Sequence, residues 1–287
     1  MLKIYSLKKL FSKEKVIKAK FKSRAQKITL KLKKMRKAGQ YVGSKWNKTN
    51  VLLQSRKISR FIPKTRKLNQ SVLNTMLNEF KMIYLKPING TYGKGVIRVE
   101  KHQENGKITF QYQQGTEKKH LGSLSALYRT VMKNKMRRSY IAQQGIHLLK
   151  YKNCLFDLRI MVQRNLKGVW ESTGIIGRVA HPKKIVTNYH SGGTPTSFNT
   201  LFKPYLSKAE IEEYSQILKK FGEDIAVTMS KEYPKLNMLG IDVGVDKKLY
   251  PWIIEVNTNP DLYIFKKLKD KQIFQRMYRY AKHLKRT

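Results

Sequence analysis

The sequence predicts an α+β protein. Between residues 82 and 146, short β-type runs surround a glycine-rich loop and one helical stretch, in the order β-loop-β-β-α-β. Between 154 and 256 the theme recurs with longer strands and a longer helix. Hydrophobic residues make up 40% of the 287-residue chain, which suffices for a packed core and excludes wholesale disorder despite a net charge of +43.

Taken in order, residues 1–38 read as a long basic amphipathic helix. Leu7, Leu10, Ile17, Phe21, Ala25, Ile28, Leu32 and Met35 fall on one helical face, and Gly39 is a stop signal. Fifteen Lys and Arg residues stand against one acid, Glu14, so this segment alone carries +14. Such a helix either packs on the domain with a solvated polar face or docks on an anionic surface. A short helix is expected over 71–80, with Val72, Leu73, Met76, Leu77 and Phe80 on one face. The run 82–85 is a buried strand ended by Lys86-Pro87, and Gly90, Gly93 and Gly95 punctuate the loop after it. Strands return at 96–99 and 107–113, a helix at 121–136 and a strand at 139–146. Runs 155–164 and 169–179 form a hairpin about Leu166-Lys167-Gly168, and a polar loop spans 187–200. The helix 208–231 places Ile211, Tyr214, Ile217, Leu218, Phe221 and Ile225 on one face. Strands 238–245 and 250–256 turn at Asp246-Lys247-Lys248, and a basic helix closes the chain.

Several classes of protein are excluded. A lone cysteine, Cys154, allows no intramolecular disulfide framework, and its default is an inert thiol. The six histidines show no metal-binding spacing. No run approaches the roughly 20 apolar residues of a membrane span. Lys8, Lys9, Lys13 and Lys15 interrupt any signal-peptide core. The expectation is a soluble, cytoplasmic protein whose charge calls for an anionic partner: nucleic acid, lipid, acidic peptide or wall polymer.

Three constellations could carry chemistry. Lys86 leaves an apolar strand just before the glycine loop, which suits phosphate binding, although a glycine hairpin is also an ordinary structural device. Glu255 and Asn257 lie two apart on a strand and so share a face, and Asp242 sits on the proposed neighbouring strand. Three hard oxygen donors there suit Mg²⁺, where one strand carboxylate alone would be edge decoration. Asp157 and Arg159 share a face, and Arg178 ends the following strand, either as salt-bridge partners or as clamps for phosphoryl oxygens. The loop from Asn188 to Thr194 adds amide and backbone donors; His190 within it reads as a surface histidine.

In this order the Lys-Pro strand with its glycine loop, Gln143-Gln144-Gly145-Ile146, Phe156-Asp157-Leu158-Arg159-Ile160, Gly177-Arg178-Val179-Ala180, Thr187 to Gly193, Gly240 to Asp246 and Ile253 to Pro260 resemble the ATP-grasp superfamily. Within it they look like the endospore coat-associated YheC/YheD branch, over roughly residues 41–265. The resemblance implies two α+β lobes with ATP between them. Lys86 would contact phosphates, Gly90, Gly93 and Gly95 would close over them, and Gln143, Gln144 and Ile146 would hold adenine. Asp157 would lie near the ribose and Arg178 on the phosphates. Asp242, Glu255 and Asn257 would hold Mg²⁺, while Arg159 and Asn188 would face the γ-phosphate or an acyl phosphate. Many members carry Glu where this chain has Gln143-Gln144, and a basic helix stands where a full-sized preceding domain is usual.

The implied organisation is a basic extension at 1–40, a remnant of a preceding region at 41–82, a small lobe at 83–146 and a large lobe at 147–287. The implied activity is ATP-dependent carboxylate–amine ligation through an acyl phosphate, on an acidic or polymeric substrate, in the cytoplasm with a link to the forespore or spore coat. The alternatives are phosphoryl transfer to another acceptor by the same grip, or an idle grasp fold that binds nucleic acid or another polyanion. If the first helix docks on a nucleic acid, affinity should fall by roughly 0.7–0.9 log units per neutralised phosphate for each tenfold rise in salt. Deleting residues 1–38 should flatten that slope in a fluorescence titration while leaving ATP affinity unchanged.

Overall fold

A computed structural model describes residues 41–284, so the helix expected over 1–38 lies outside the described residues. The elements, in chain order, are α1 (Lys45–Leu53), β1 (Thr65–Lys67), α2 (Gln70–Phe80), β2 (Met82–Pro87), β3 (Ile97–Glu104), β4 (Lys107–Gln114), β5 (Glu117–Leu121), α3 (Leu124–Asn134) and β6 (Tyr140–Gln144). They continue with β7 (Lys150–Tyr151), β8 (Cys154–Arg164), β9 (Trp170–Val179), β10 (Thr194–Thr196), α4 (Phe198–Phe202), α5 (Lys208–Glu232), β11 (Met238–Val245), β12 (Pro251–Asn257) and α6 (Lys271–His283). The strands build two antiparallel sheets, ordered β1-β6-β2-β3-β4-β5 and β10-β9-β8-β11-β12, with β7 paired to β8.

Local chemistry starts each helix. Ser44, Asn69 and Ser123 accept hydrogen bonds from the backbone N–H three residues on, and Ser207 with Glu210 forms a reciprocal capping box. Packing then decides whether a helix persists. At 11 residues α2 is below the roughly 12–15 at which isolated helices become marginal. Its Leu73, Met76 and Leu77 are fully buried in the cluster that holds Ile83 and Leu85, at roughly 1.5–3 kcal/mol each. The segment 41–82 is therefore shared out. Strand β1 and helix α2 join the small sheet, while Leu52, Ile58 and Ile62 pack in the core of the large one.

Helix α5 backs the large sheet through Ile211, Leu218, Phe221, Ile225 and Met229. Ile217, which the sequence pattern placed on that face, is 53% exposed because it lies a full residue's turn, about 100°, from Leu218. The expected helix at 121–136 begins later, since Glu117–Leu121 extends the small sheet as β5. The short strand β1 and helix α1 lie in a basic stretch that had no apolar periodicity to announce them.

The opposite face of the large sheet is divided. One end packs Met161, Ile176 and Met238 against α6 and the turn Tyr263–Lys267. The other end carries Asp157, Arg159, Arg178, Asp242 and Glu255 toward the small sheet. Helix α4 covers the edge at Gly177, where a Cβ would stand 1.9 Å from Leu201 Cδ1. Gly177→Ala should thus cost about 1–3 kcal/mol by overpacking, read as a lowered chemical-denaturation midpoint with an unchanged slope.

Candidate active site

Cross-strand register assembles the polar end of the large sheet. Asp157 faces Arg178, Arg159 faces Asp242, and Asp242 faces Glu255 across neighbouring strands, with Asn257 opposite Gly240. Directly paired residues project from the same face of a sheet, so alternation on four strands brings these groups together.

At the centre is a buried ion array. Arg178 donates from Nε to Asp157 Oδ1 at 2.8 Å and from Nη2 to Asp157 Oδ2 at 2.5 Å, and its Nη2 lies 3.1 Å from Asp242 Oδ2. Arg159 Nε donates to Asp242 Oδ1 at 2.5 Å, Thr187 Oγ1 donates to Asp157 Oδ2 at 2.6 Å, and Asn257 Nδ2 lies 3.3 Å from Asp242 Oδ2. All four charged side chains are buried. Burial would push the Asp242 carboxyl up and the Arg178 guanidinium down. Their partners outweigh it: Arg159 and Arg178 hold Asp242 down at about 2, and Asp157 with Asp242 raises Arg178.

Lysines face this array. Lys86, on β2, donates to Gln143 Oε1 at 2.5 Å, and Gln143 Nε2 donates in turn to Thr65 Oγ1. The Gln143 side chain thus positions Lys86, a role beyond the adenine contact that the resemblance implies. Gln144 turns its side chain to the Lys64 N–H. Burial lowers the Lys86 ammonium to about 8, against Glu255, which raises it. Lys45 and Lys48 went unassigned in the sequence. Lys45 Nζ donates to Glu255 Oε1 at 2.8 Å and to the Gly90 carbonyl at 2.9 Å, while Lys48 Nζ stands 3.9 Å from the same Glu255 oxygen. Burial likewise lowers Lys48 to about 8. The signal that could have found them is the N-cap Ser44 with two lysines three apart, a spacing that shares a helix face.

Between the sheets lies a partly enclosed cleft. Lys86, Gly90, Gly93, Gln143, Gln144, Ile146, Asp157, Arg178, Asn188, Asp242 and Glu255 all line it. A second pocket shares Thr91, Arg178, Asn188 and Glu255 with the cleft, and it is this pocket that Arg159 and Asn257 line. Gly93, at φ +70°, approaches Asn188 so closely that a Cβ would stand 2.7 Å from Oδ1. Ser191 Oγ donates to the Tyr92 carbonyl and His190 packs edge-on against the Tyr92 ring at 4.4 Å, fastening the glycine loop to the large lobe. His190 is thus a contact of that loop and more than a bystander. Gly95, at φ +76°, leaves room where a Cβ would meet Met136 and the Tyr140 hydroxyl, and its neighbours Lys94 and Val96 line the cleft.

The donor set fits a divalent cation in chemistry: two carboxylates and an amide side chain stand together on the paired strands β11 and β12. Among the described residues no group of three His, Cys, Asp or Glu side chains forms a metal cluster, so the set depends on Asn257 as its third member. No helix among them is long and apolar enough to cross a membrane.

The description YheC/D like ATP-grasp matches residues 34–284. The chain belongs to that family. Its curated relatives include the endospore coat-associated proteins YheD and YheC of Bacillus subtilis (strain 168). YheD is 26% identical over 234 residues, covering 77% of this chain and 49% of YheD. YheC is 24% identical over 224 residues, covering 77% of this chain and 61% of YheC. The chain therefore spans about half to three-fifths of these relatives' lengths. Among solved structures, D-cycloserine synthetase DcsG superposes with a TM-score of 0.50 at 10% identity, over 84% of this chain and 70% of that one. The ADP complex of PurK, N5-carboxyaminoimidazole ribonucleotide synthetase, gives 0.49 at 12% identity, over 84% and 51%. The likeness to DcsG is one of fold.

Because Lys86 is neutral above about 8 and an anionic ligand favours its charged form, binding of ATP should take up protons at pH 8–9 and weaken as pH rises. Calorimetry in buffers of different ionisation enthalpy reads that uptake. Lys86→Met should reduce it. The same lowering means that stability rises with pH between about 8 and the ordinary lysine value of 10.5, where only the unfolded chain holds the proton.

Proposed function

We propose that this chain is an ATP-dependent carboxylate–amine ligase. One observation carries the reading: a cleft walled by lysines on one side and by Asp242 and Glu255 on the other shares its wall with a second pocket lined by Arg159. Lysines facing acidic oxygens suit a polyphosphate bound with a cation, and the adjoining pocket suits the group that receives the phosphoryl. ATP is the proposed nucleotide, and Mg²⁺ the proposed metal, held by Asp242, Glu255 and Asn257.

The chain's own residues would do the following. Lys86, oriented by Gln143, binds phosphate oxygens as a point charge. The loop through Gly90 and Gly93, fastened by Tyr92 to His190 and Ser191, keeps water from the transferring group. Arg178 holds Asp157 in place through two hydrogen bonds, and with Arg159 it keeps Asp242 ionised. Arg159 and Asn188 face the reacting carboxylate. The γ-phosphoryl bonds to a carboxylate oxygen as ADP leaves; an amine nitrogen then bonds to the acyl carbon, phosphate departs with the old C–O bond pair, and the proton lost by the amine leaves on that phosphate. A bound metal would neutralise charge on the phosphate oxygens. Positioning and electrostatics account for the rate, with no covalent nucleophile on the protein.

The small lobe is assigned to residues 83–146 and the large lobe to 147–287, with 41–82 contributing to both. The relatives' names support a place at the spore coat.

ATP turnover assayed against a panel of acidic polymers and amino acids, with product mass measured, tests the activity. A stable amide with inorganic phosphate is the expected product, and a phosphorylated acceptor would replace ligation with phosphotransfer. Glu255→Gln should reduce turnover by about 10²-fold or more with an unchanged melting temperature. Wild-type turnover in that variant would remove Glu255 from the site.

A further inference from the structure

The oxygens assigned to a metal are already engaged by the protein's own cations, and they are engaged in two different ways. Asp242 is held on Oδ1 by Arg159 and on Oδ2 by Arg178, both buried on strands of the same sheet. These guanidiniums stand on β8 and β9, buried beside their partners. Glu255 is held differently. Among the described residues its close partner is Lys45 Nζ at 2.8 Å, with Lys48 Nζ standing off at 3.9 Å. Lys45 belongs to another part of the fold, the first residue of α1, and reaches the cleft on a flexible four-carbon stem.

We propose that Lys45 is the exchangeable counter-ion of the metal site. In the nucleotide-free protein its ammonium sits on Glu255 and excludes a divalent cation; the cation enters once a nucleotide's phosphates have drawn the ammonium away. This rests on the reading of Asp242, Glu255 and Asn257 as metal ligands.

The electrostatics require such an exchange. A metal bound to either Glu255 oxygen at about 2.0–2.1 Å would meet the Lys45 ammonium at close range, inside a partly enclosed site where water screens poorly. Lys48 and Lys86 add further positive charge around Glu255, each influenced by that carboxylate. With no nucleotide present the region is already in excess of cation, so a free divalent ion gains little there. Phosphates reverse the balance by giving Lys45 and Lys86, which line the cleft, an anionic partner. The coupling is reciprocal, so the metal also tightens the nucleotide.

Lys45 also ties the glycine loop. Its Nζ donates to the Gly90 carbonyl, and its backbone N–H donates to the Ile88 carbonyl. Departure of the ammonium from Glu255 therefore acts on the same loop that covers the cleft.

Mn²⁺ binding to the full chain, read by electron paramagnetic resonance with and without a non-hydrolysable ATP analogue, tests this. The wild type should bind Mn²⁺ strongly only with the analogue. Lys45→Met should bind Mn²⁺ without it, at least about tenfold more tightly than the wild type, within the usual range of such couplings. Adding Glu255→Gln to that variant should abolish the gain. Lys45→Gln, with melting temperatures for both variants, guards against a folding defect. Wild-type protein that binds Mn²⁺ equally well with and without the analogue would overturn the proposal, as would Lys45 variants with no gain. Absence of Mn²⁺ binding in every protein, analogue included, would instead remove the metal reading on which the proposal rests.

Discussion

The array Arg159–Asp242–Arg178–Asp157 is the interaction on which the rest of the site depends. Its members lie on β8, β9 and β11, so it crosses three strands of the large sheet. Burying four charges is costly unless each is paired and hydrogen-bonded. Here each carboxylate meets at least one guanidinium, and Thr187 supplies Asp157 with a further donor. The array is therefore weak as a source of net stability and strong as a source of position. Removing one member would leave an uncompensated buried charge, which is worse than never having built the group.

Around this centre, the two lobes contribute opposite kinds of charge. The large lobe brings acids that are locked by arginines, and the small lobe and α1 bring lysines on longer, looser stems. Lys86, Lys45 and Lys48 outnumber the one carboxylate, Glu255, that they share. The imbalance is local and is distinct from the chain's net charge of +43. Steering by the overall charge and binding by these three lysines are separate effects. Salt screens the first within about 10 Å at 0.1 M and reaches the enclosed lysines far less.

Much of the architecture was legible because its determinants are local. Strand alternation put Glu255 with Asn257 and Asp157 with Arg159 on shared faces, and helical spacing announced α2, α3 and α5 from their buried residues. The order of motifs carried the family, which the match over residues 34–284 shows. Helix α1 and strand β1 were invisible for the same reason: in a stretch crowded with lysine and arginine, neither offers an apolar period to read.

What the sequence determined by itself is which groups stand on which face of each element, since that follows from a period of two or 3.6 along one strand or helix. Only the tertiary structure decided which cation meets which acid. Arg178 reaches Asp157 and Asp242 because β8 pairs with both β9 and β11 in one particular register. Lys45 reaches Glu255 across 210 residues because α1 folds back onto the cleft. Gly95 leaves room for Met136 and the Tyr140 hydroxyl, a close approach that no local pattern announces. Coulomb attraction acts through space, and the separations that set its strength are fixed by long-range packing, which no local period encodes.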